Sequence, residues 1–216
     1  MEPKSRDIPI DHHHAALLLI DVQNYSADPA GGSFAGLSEP EKTAHSHFFD
    51  RINTTILPNQ ARLLKACRGG RIEIIYTVME NLTRDGRDRS LDYKISGINV
   101  PKGSWDAKIP DIVAPLDDEI VISKTSSSVF ISTNIDYLLR NLRIRSLIVA
   151  GLLTDQCVDS AVRDACDLGY LVTLVVDACA SHSEESHTWS LRNNHGYCRQ
   201  IMTAELVAEI EAASTS

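Results

Sequence analysis

With 216 residues, 43% of them hydrophobic and 23% charged, the chain is long enough to bury one well-formed core and is ordinary in composition for a globular protein. A formal net charge of -8 speaks against nucleic acid and membrane surfaces as partners, because anionic polymers and headgroups are bound through clustered Lys and Arg. No apolar run approaches the ~20 residues needed to cross a bilayer, Met1 to Asp11 holds no apolar signal core, and the five cysteines include no CxxC pair, so a cytoplasmic chain with free thiols is expected.

In chain order, the first strong element is Ala15-Ala-Leu-Leu-Leu-Ile-Asp21, a continuous apolar run ending in a carboxylate. It reads as a central parallel strand buried on both faces. Turn chemistry follows at 28–33. A helical stripe over 40–67 carries Ile52, Ile56, Leu63 and Leu64, with Pro58 expected to break or restart it. Residues 71–78 form the second predicted strand. The polar, charged stretch 81–104 is long for a plain connection, and such loops often cover an active site. A third strand over 118–124 ends at Lys124. Further elements are a helix at 133–142, a strand at 146–151, a helix at 155–168, a strand at 171–177, and helices at 183–194 and 204–213. A short strand is predicted near 200–202. Strands alternating with helices give a single three-layer α/β/α domain over 1–216, with a mostly parallel, Rossmann-like sheet and peripheral tails at 1–14 and 212–216.

Sites in open α/β sheets form beyond the carboxyl ends of the strands. Asp21, Lys124 and Cys157 all fall there. Cys157 lies at the start of the helix after the fourth strand, where Thr154 and Asp155 are good N-cap types. The helix dipole and a nearby Lys124 ammonium would favour a thiolate. Asp21 would accept the thiol proton, and backbone N–H groups between Leu153 and Cys157 would hold an oxyanion. Each residue also has a plain structural reading: a buried small hydrophobe for the Cys, a turn residue for the Asp, a solvated charge for the Lys.

The wording around these three positions resembles the isochorismatase-like superfamily of cysteine hydrolases. The similar segments are Leu18-Leu-Ile-Asp-Val-Gln-Asn24, Val121-Ile-Ser-Lys-Thr-Ser-Ser-Ser-Val-Phe130 and Val149-Ala-Gly-Leu-Leu-Thr-Asp-Gln-Cys-Val-Asp159, with Asp177-Ala-Cys-Ala180 at the next strand end. The resemblance runs from about Ala15 to Leu206. It implies Cys157 as nucleophile, Asp21 as proton acceptor, Lys124 as electrostatic partner, and Leu153 and Cys157 N–H groups as the oxyanion hole. It implies a cis peptide bond between Leu152 and Leu153, and a pocket partly formed by Ser128 and Phe130. It also implies a homo-oligomer, a dimer or tetramer.

Nicotinamidases in that superfamily hold a metal with an Asp-x-His pair and a further His after the second strand. The corresponding Tyr76-Thr-Val-Met-Glu-Asn-Leu-Thr-Arg-Asp-Gly-Arg87 contains no His, so no metal or other cofactor is expected. Retention of Cys157 favours hydrolysis of a small amide or ureide. The competing readings are a vinyl ether hydrolase using Asp21 as acid with Cys157 dispensable, and a silent binding protein on the same fold. Gln23, Asn24, Tyr25 and Glu80 are candidate substrate contacts. One of Arg84, Arg87 and Arg89 is a candidate grip on a substrate carboxylate, against the alternative of a solvated loop. His12, His13 and His14 read as a solvated tract, and His182, His187 and His195 as structural or interfacial.

Overall fold

The computed structural model describes residues 5–214. Six strands form one all-parallel sheet: β1 (Ala15–Ile20), β2 (Glu73–Met79), β3 (Ile120–Lys124), β4 (Ser146–Leu152), β5 (Leu171–Ala180) and β6 (Arg199–Ile201). Every residue of β1 and β4 is buried, which explains why both read as unbroken apolar runs with no alternation. The strand order is β3-β2-β1-β4-β5-β6. The chain therefore builds outward from β1 to β3, crosses back to β4, and builds outward the other way. That reversal leaves a crevice at the carboxyl ends of β1 and β4, the switch point at which open α/β sheets bind ligands.

The principal helices are α1 (Leu57–Gly69), α2 (Ile135–Asn141), α3 (Asp159–Asp167), α4 (Glu184–Asn194) and α5 (Thr203–Ser214). They cover both sides of the sheet, with α1 packed on α5 and α3 packed on α4. The small side chains Ala161 and Ala165, with Val162, bury the inner face of α3 and let it approach β5 closely. Among the described residues no helix is long and apolar enough to cross a membrane.

Local details refine the expected elements. Pro58 restarts the helix instead of breaking it: Leu57 N donates to Ile52 O, and this wide π turn over Ile52–Ile56 leads directly into α1, with Pro58 in its first turn, where a missing N–H is tolerated. The helix expected at 133–142 is α2, and a further short helix, Val129–Ser132, precedes it. The segment before β1 is also docked. Ile10 is buried, its N–H reaches Glu209 Oε1 at 2.8 Å, and Arg199 Nη1 holds Ile8 O at 3.1 Å. Of the tails expected at 1–14 and 212–216, residues 1–4, 215 and 216 lie outside the described residues.

The close approach of β1 and β4 depends on Gly151. Its φ is 136°, and a Cβ there would stand 2.1 Å from Ile20 O, its register partner's carbonyl. Only glycine fits such a contact at that φ. The β4–β5 register also shifts between Val149 and Gly151, which re-aims the end of β4 towards the crevice.

Candidate active site

Three strand ends deliver the charged and nucleophilic groups. Asp21 leaves β1 in the left-handed region, φ 50°, a conformation Asp tolerates better than most residues. Its N–H remains tied to Thr77 O at 3.0 Å, and Thr77 Oγ1 donates to Asp21 Oδ1 at 2.7 Å. Lys124 closes β3, paired in register with Met79, and its side chain crosses the end of β2 to reach Asp21. Lys124 Nζ stands 2.8 Å from Asp21 Oδ2, 2.8 Å from Ser126 O, 3.1 Å from Tyr93 OH and 3.3 Å from Cys157 Sγ. Both charges are essentially inaccessible to water, so each is stable only because the other is present. Among the described residues Asp21 Oδ2 has no hydrogen-bond donor of regular geometry beyond this ion pair.

Burial works against the thiolate expected at Cys157. Burial pushes the Cys157 thiol up to about 12; Lys124 pulls it down, and Asp21 pushes it further up. The net direction favours the neutral thiol at Cys157, with Lys124 Nζ 3.3 Å from its sulfur. Burial opposes the charge on Lys124, but Asp21, with Cys157 and Tyr93, more than offsets this and holds the ammonium above its ordinary pKa. Burial likewise raises the Tyr93 phenol, with Cys157 adding to the effect, so its proton stays in place.

The Leu152–Leu153 peptide bond is cis, as the resemblance implies. Cys157 then lies in a π turn, Thr154–Val158, that precedes α3. The N-cap is Leu153, not Thr154 or Asp155. Both of those side chains serve other partners: Thr154 Oγ1 meets His187 Nδ1 at 2.8 Å, and Asp155 Oδ1 accepts from Ser181 Oγ at 2.6 Å. Burial lowers the His187 pKa to about 4, so the ring is neutral and clamps the turn without charge. The Gln156 and Val158 N–H groups both donate to Leu153 O.

The cluster opens onto a cavity of about 490 Å³, within the range of small-molecule sites. Cys157, Leu152, Leu153 and Gln156 form its floor; Tyr93, Ser96 and Ile98 form one wall; Tyr25, Ser33 and His182 line the rest, with Met79 and Ser127 nearby. Of the expected substrate contacts, Tyr25 is on the lining. Five are placed elsewhere. Gln23 is fully buried, with its amide on Met79 N, Met79 O and Asp106 O. Asn24 donates to Trp105 O at 3.0 Å. Glu80 accepts from Gly103 N and Ser123 Oγ, tying the 81–104 loop to β3. Ser128 donates to Asp164, and Phe130 packs on Tyr170 with ring centroids 6.2 Å apart. Each has its polar or aromatic surface satisfied by the protein itself, which is why it is not on the cavity.

Most of the lining was missed by sequence reasoning, Tyr93, Ser127 and His182 among it. Tyr93 is the sole aromatic side chain in 81–104, follows the N-cap residue Ser90, and sits in the short helix Leu91–Ile95. A lone aromatic behind a cap in a polar loop is a signal for an inward-facing anchor. His182 was assigned a structural or interfacial role; it does pack in an aromatic cluster with Phe34, His45 and Phe48, and it also borders the cavity. Burial, with His45 adding to it, holds its pKa below the ordinary value. Among the described residues no group of three or more His, Cys, Asp or Glu side chains converges as a metal cage.

Comparison with known proteins follows the same lines. A family profile described as the isochorismatase domain matches residues 15–205. The chain is 37% identical over 121 residues to an N-carbamoylsarcosine amidase of Arthrobacter sp., covering 54% of this chain and 46% of that protein. The match therefore spans less than half the length of that relative. It is 28% identical over 189 residues to the ureidoacrylate amidohydrolase RutB of Rhizobium rhizogenes, covering 79% of this chain and 72% of that protein. In fold it is similar to a cysteine hydrolase from Pseudomonas syringae pv. phaseolicola, with a TM-score of 0.83 at 21% identity, covering 99% of this chain and 100% of that one.

Proposed function

The chain belongs to the isochorismatase family, and on that premise we propose that it is a metal-independent cysteine hydrolase cleaving the C–N bond of a small amide or ureide. The observation that carries this reading is Lys124 Nζ, buried between Asp21 Oδ2 at 2.8 Å and Cys157 Sγ at 3.3 Å, behind the stretch of the cavity lined by Cys157.

Because Cys157 rests as a thiol, its proton must leave as the S–C bond forms. Asp21 Oδ2 takes that proton while Sγ attacks the substrate carbonyl carbon. The carbonyl π pair moves to oxygen, and the resulting oxyanion is held by the N–H groups of Leu153 and Cys157, as the family resemblance implies. Asp21 returns the proton to the substrate nitrogen, the C–N bond breaks, and ammonia or an amine departs from a thioester. Water, deprotonated by the same carboxylate, adds to the thioester, and the C–S bond breaks with the thiol regaining its proton. Through both halves the Lys124 charge offsets the negative charge passing between Asp21 and Sγ. Tyr93 OH, 3.1 Å from Nζ and 3.9 Å from Sγ, positions the ammonium.

Self-association in solution belongs to this reading too. Leu91 and Ile95, one turn apart on the helix that carries Tyr93, are 73% and 77% exposed, an apolar face beside the cavity.

The test is an ammonia-release screen over small amides and ureides, with Cys157→Ala as control. The variant is expected to keep the native circular dichroism spectrum and to lose turnover by at least ~10⁴-fold. Full activity of that variant on the same substrate would sink the mechanism.

A further inference from the structure

We infer that the cavity takes an uncharged or cationic substrate and rejects carboxylates, an assignment that rests on the hydrolase reading above for the word substrate. The expected grips for a carboxylate are occupied elsewhere. Arg89 donates to Gly86 O at 2.9 Å and Ile98 O at 2.7 Å, bracing the wall from behind. Arg87 pairs with Asp85 at 3.0 Å, and Arg84 is exposed on the same outer turn. Lys94, on the Tyr93 helix, donates to Arg87 O at 2.8 Å. Among the described residues none of these four is on the cavity lining, where Asp92 is the one side chain that carries a charge. Lys124 lies beneath Cys157, and its charge is already matched by Asp21 at 2.8 Å.

The surroundings have the same sign. Asp106 flanks Tyr25, whose phenol is raised first by burial and then by that carboxylate. Asp155 is close enough to act on His182, opposing the larger effect of burial. A carboxylate entering here would shed its hydration without gaining the guanidinium fork or ammonium that normally replaces it, and would meet Asp92 as a like charge. The hydroxyls of Tyr25, Ser33, Ser96 and Ser127 and the amide of Gln156 offer neutral donors and acceptors suited to an amide or urea edge.

The experiment reads charge selection at Cys157 with and without turnover. Intact protein is treated with iodoacetamide or iodoacetate, and modification of Cys157 is followed by peptide mass spectrometry. The rate ratio of the two reagents is compared with that of a small neutral thiol. Exclusion of anions predicts a ratio at Cys157 at least tenfold above the reference, and Asp92→Arg brings it down at least fivefold. A ratio at or below the reference overturns the inference, as would a cation supplied by a second subunit, which this measurement on the whole protein would register. Turnover is then compared for succinamide, 3-aminopropanamide and succinamate. Preference for the first two supports the inference. If succinamate is the best substrate, charge selection falls and the hydrolase stands. If no amide is turned over, the hydrolase reading falls, and the alkylation ratio still decides the charge of the site.

Discussion

Floor and wall of the cavity are held in place by different kinds of bond. Asp21 and Lys124 extend strands whose backbones are fixed by the parallel ladder on both sides of β2, and Cys157 follows β4, locked to β1 through Gly151. Tyr93, Ser96 and Ile98 hang from a loop secured by side chains: Asp88 accepting from Leu82 N and Thr83 N, Asn81 on Asn99, Glu80 on Gly103. Ladder bonds form whatever the side chains are, whereas the loop has only a few backbone bonds to its neighbours, such as Asn81 N to Val100 O and Ser90 N to Thr125 O, and leans on single side chains for the rest. The floor is therefore built for constancy of reaction and the wall for change of substrate. A substitution in the floor should move kcat and stability together, and one in the wall should move KM alone.

The sharpest test is Asp21→Asn. It leaves Lys124 buried without its counter-charge and removes the proton acceptor. Stability in urea should fall by roughly 3–5 kcal/mol, and kcat by about 10²–10⁴-fold. Replacing both partners, Asp21→Asn with Lys124→Met, should recover much of the stability and none of the activity. A single variant of unchanged stability would show that the floor is not one coupled unit.

The clamp behind the nucleophile gives the next effect, through pH. The folded-state pKa of His187 is depressed to about 4 from 6.5. Between those values the unfolded chain binds a proton that the native one does not, so unfolding free energy rises with pH. Stability should be complete above pH 6.5, decline as pH falls to 4, and change no further from this group below that. The shift sets a ceiling of about 3 kcal/mol. Urea midpoints at pH 7 and 5 measure it, and His187→Asn should flatten the slope.

Tyr93 belongs to the wall by its backbone and to the floor by its hydroxyl. Tyr93→Phe should cost no more than ~1 kcal/mol of stability and lower kcat about tenfold, the low end of what a positioned polar group contributes. If the hydroxyl positions Lys124, the pH profile of Cys157 alkylation should also shift, which loss of packing alone would not produce. The smallest effect is expected at Ser96→Ala on the rim: a KM change of about two- to fivefold, equivalent to one modest hydrogen bond, with kcat and melting temperature unchanged.

The same division separates what the sequence disclosed from what it did not. Strands such as 15–20 and 146–152 are apolar on both faces, so pattern alone identifies them, and a strand's end fixes where its next residue goes. Asp21, Lys124 and Cys157 could therefore be proposed together from sequence. Residues one or two places further along could not, because the chain turns there. Ser127 borders the cavity while Ser128 faces Asp164, and no pattern distinguishes neighbours in a run of three serines. Glu80 carries the right chemistry at the right sheet edge, yet a backbone N–H twenty-three positions away claims it. Nor did local sequence disclose the ionisation of Cys157. Cys67, in the core with no carboxylate beside it, is also pushed by burial to about 12. What sets Cys157, the proposed nucleophile, apart from Cys67 is the company of Asp21 and Lys124, not acidity.

A thiol that keeps its proton until an acyl group arrives also has a bearing on survival in oxidising conditions. Peroxides attack thiolates, and they do so in proportion to how much thiolate is present and how easily it is reached. Cys157 is 5% exposed and rests protonated. Inactivation by hydrogen peroxide should be slow in the empty protein, with a rate that climbs as the pH is raised towards 10. On the proposed mechanism, the burial that calls for Asp21 as a base would thus also work as an antioxidant, keeping the sulfur out of sulfenic acid chemistry between turnovers.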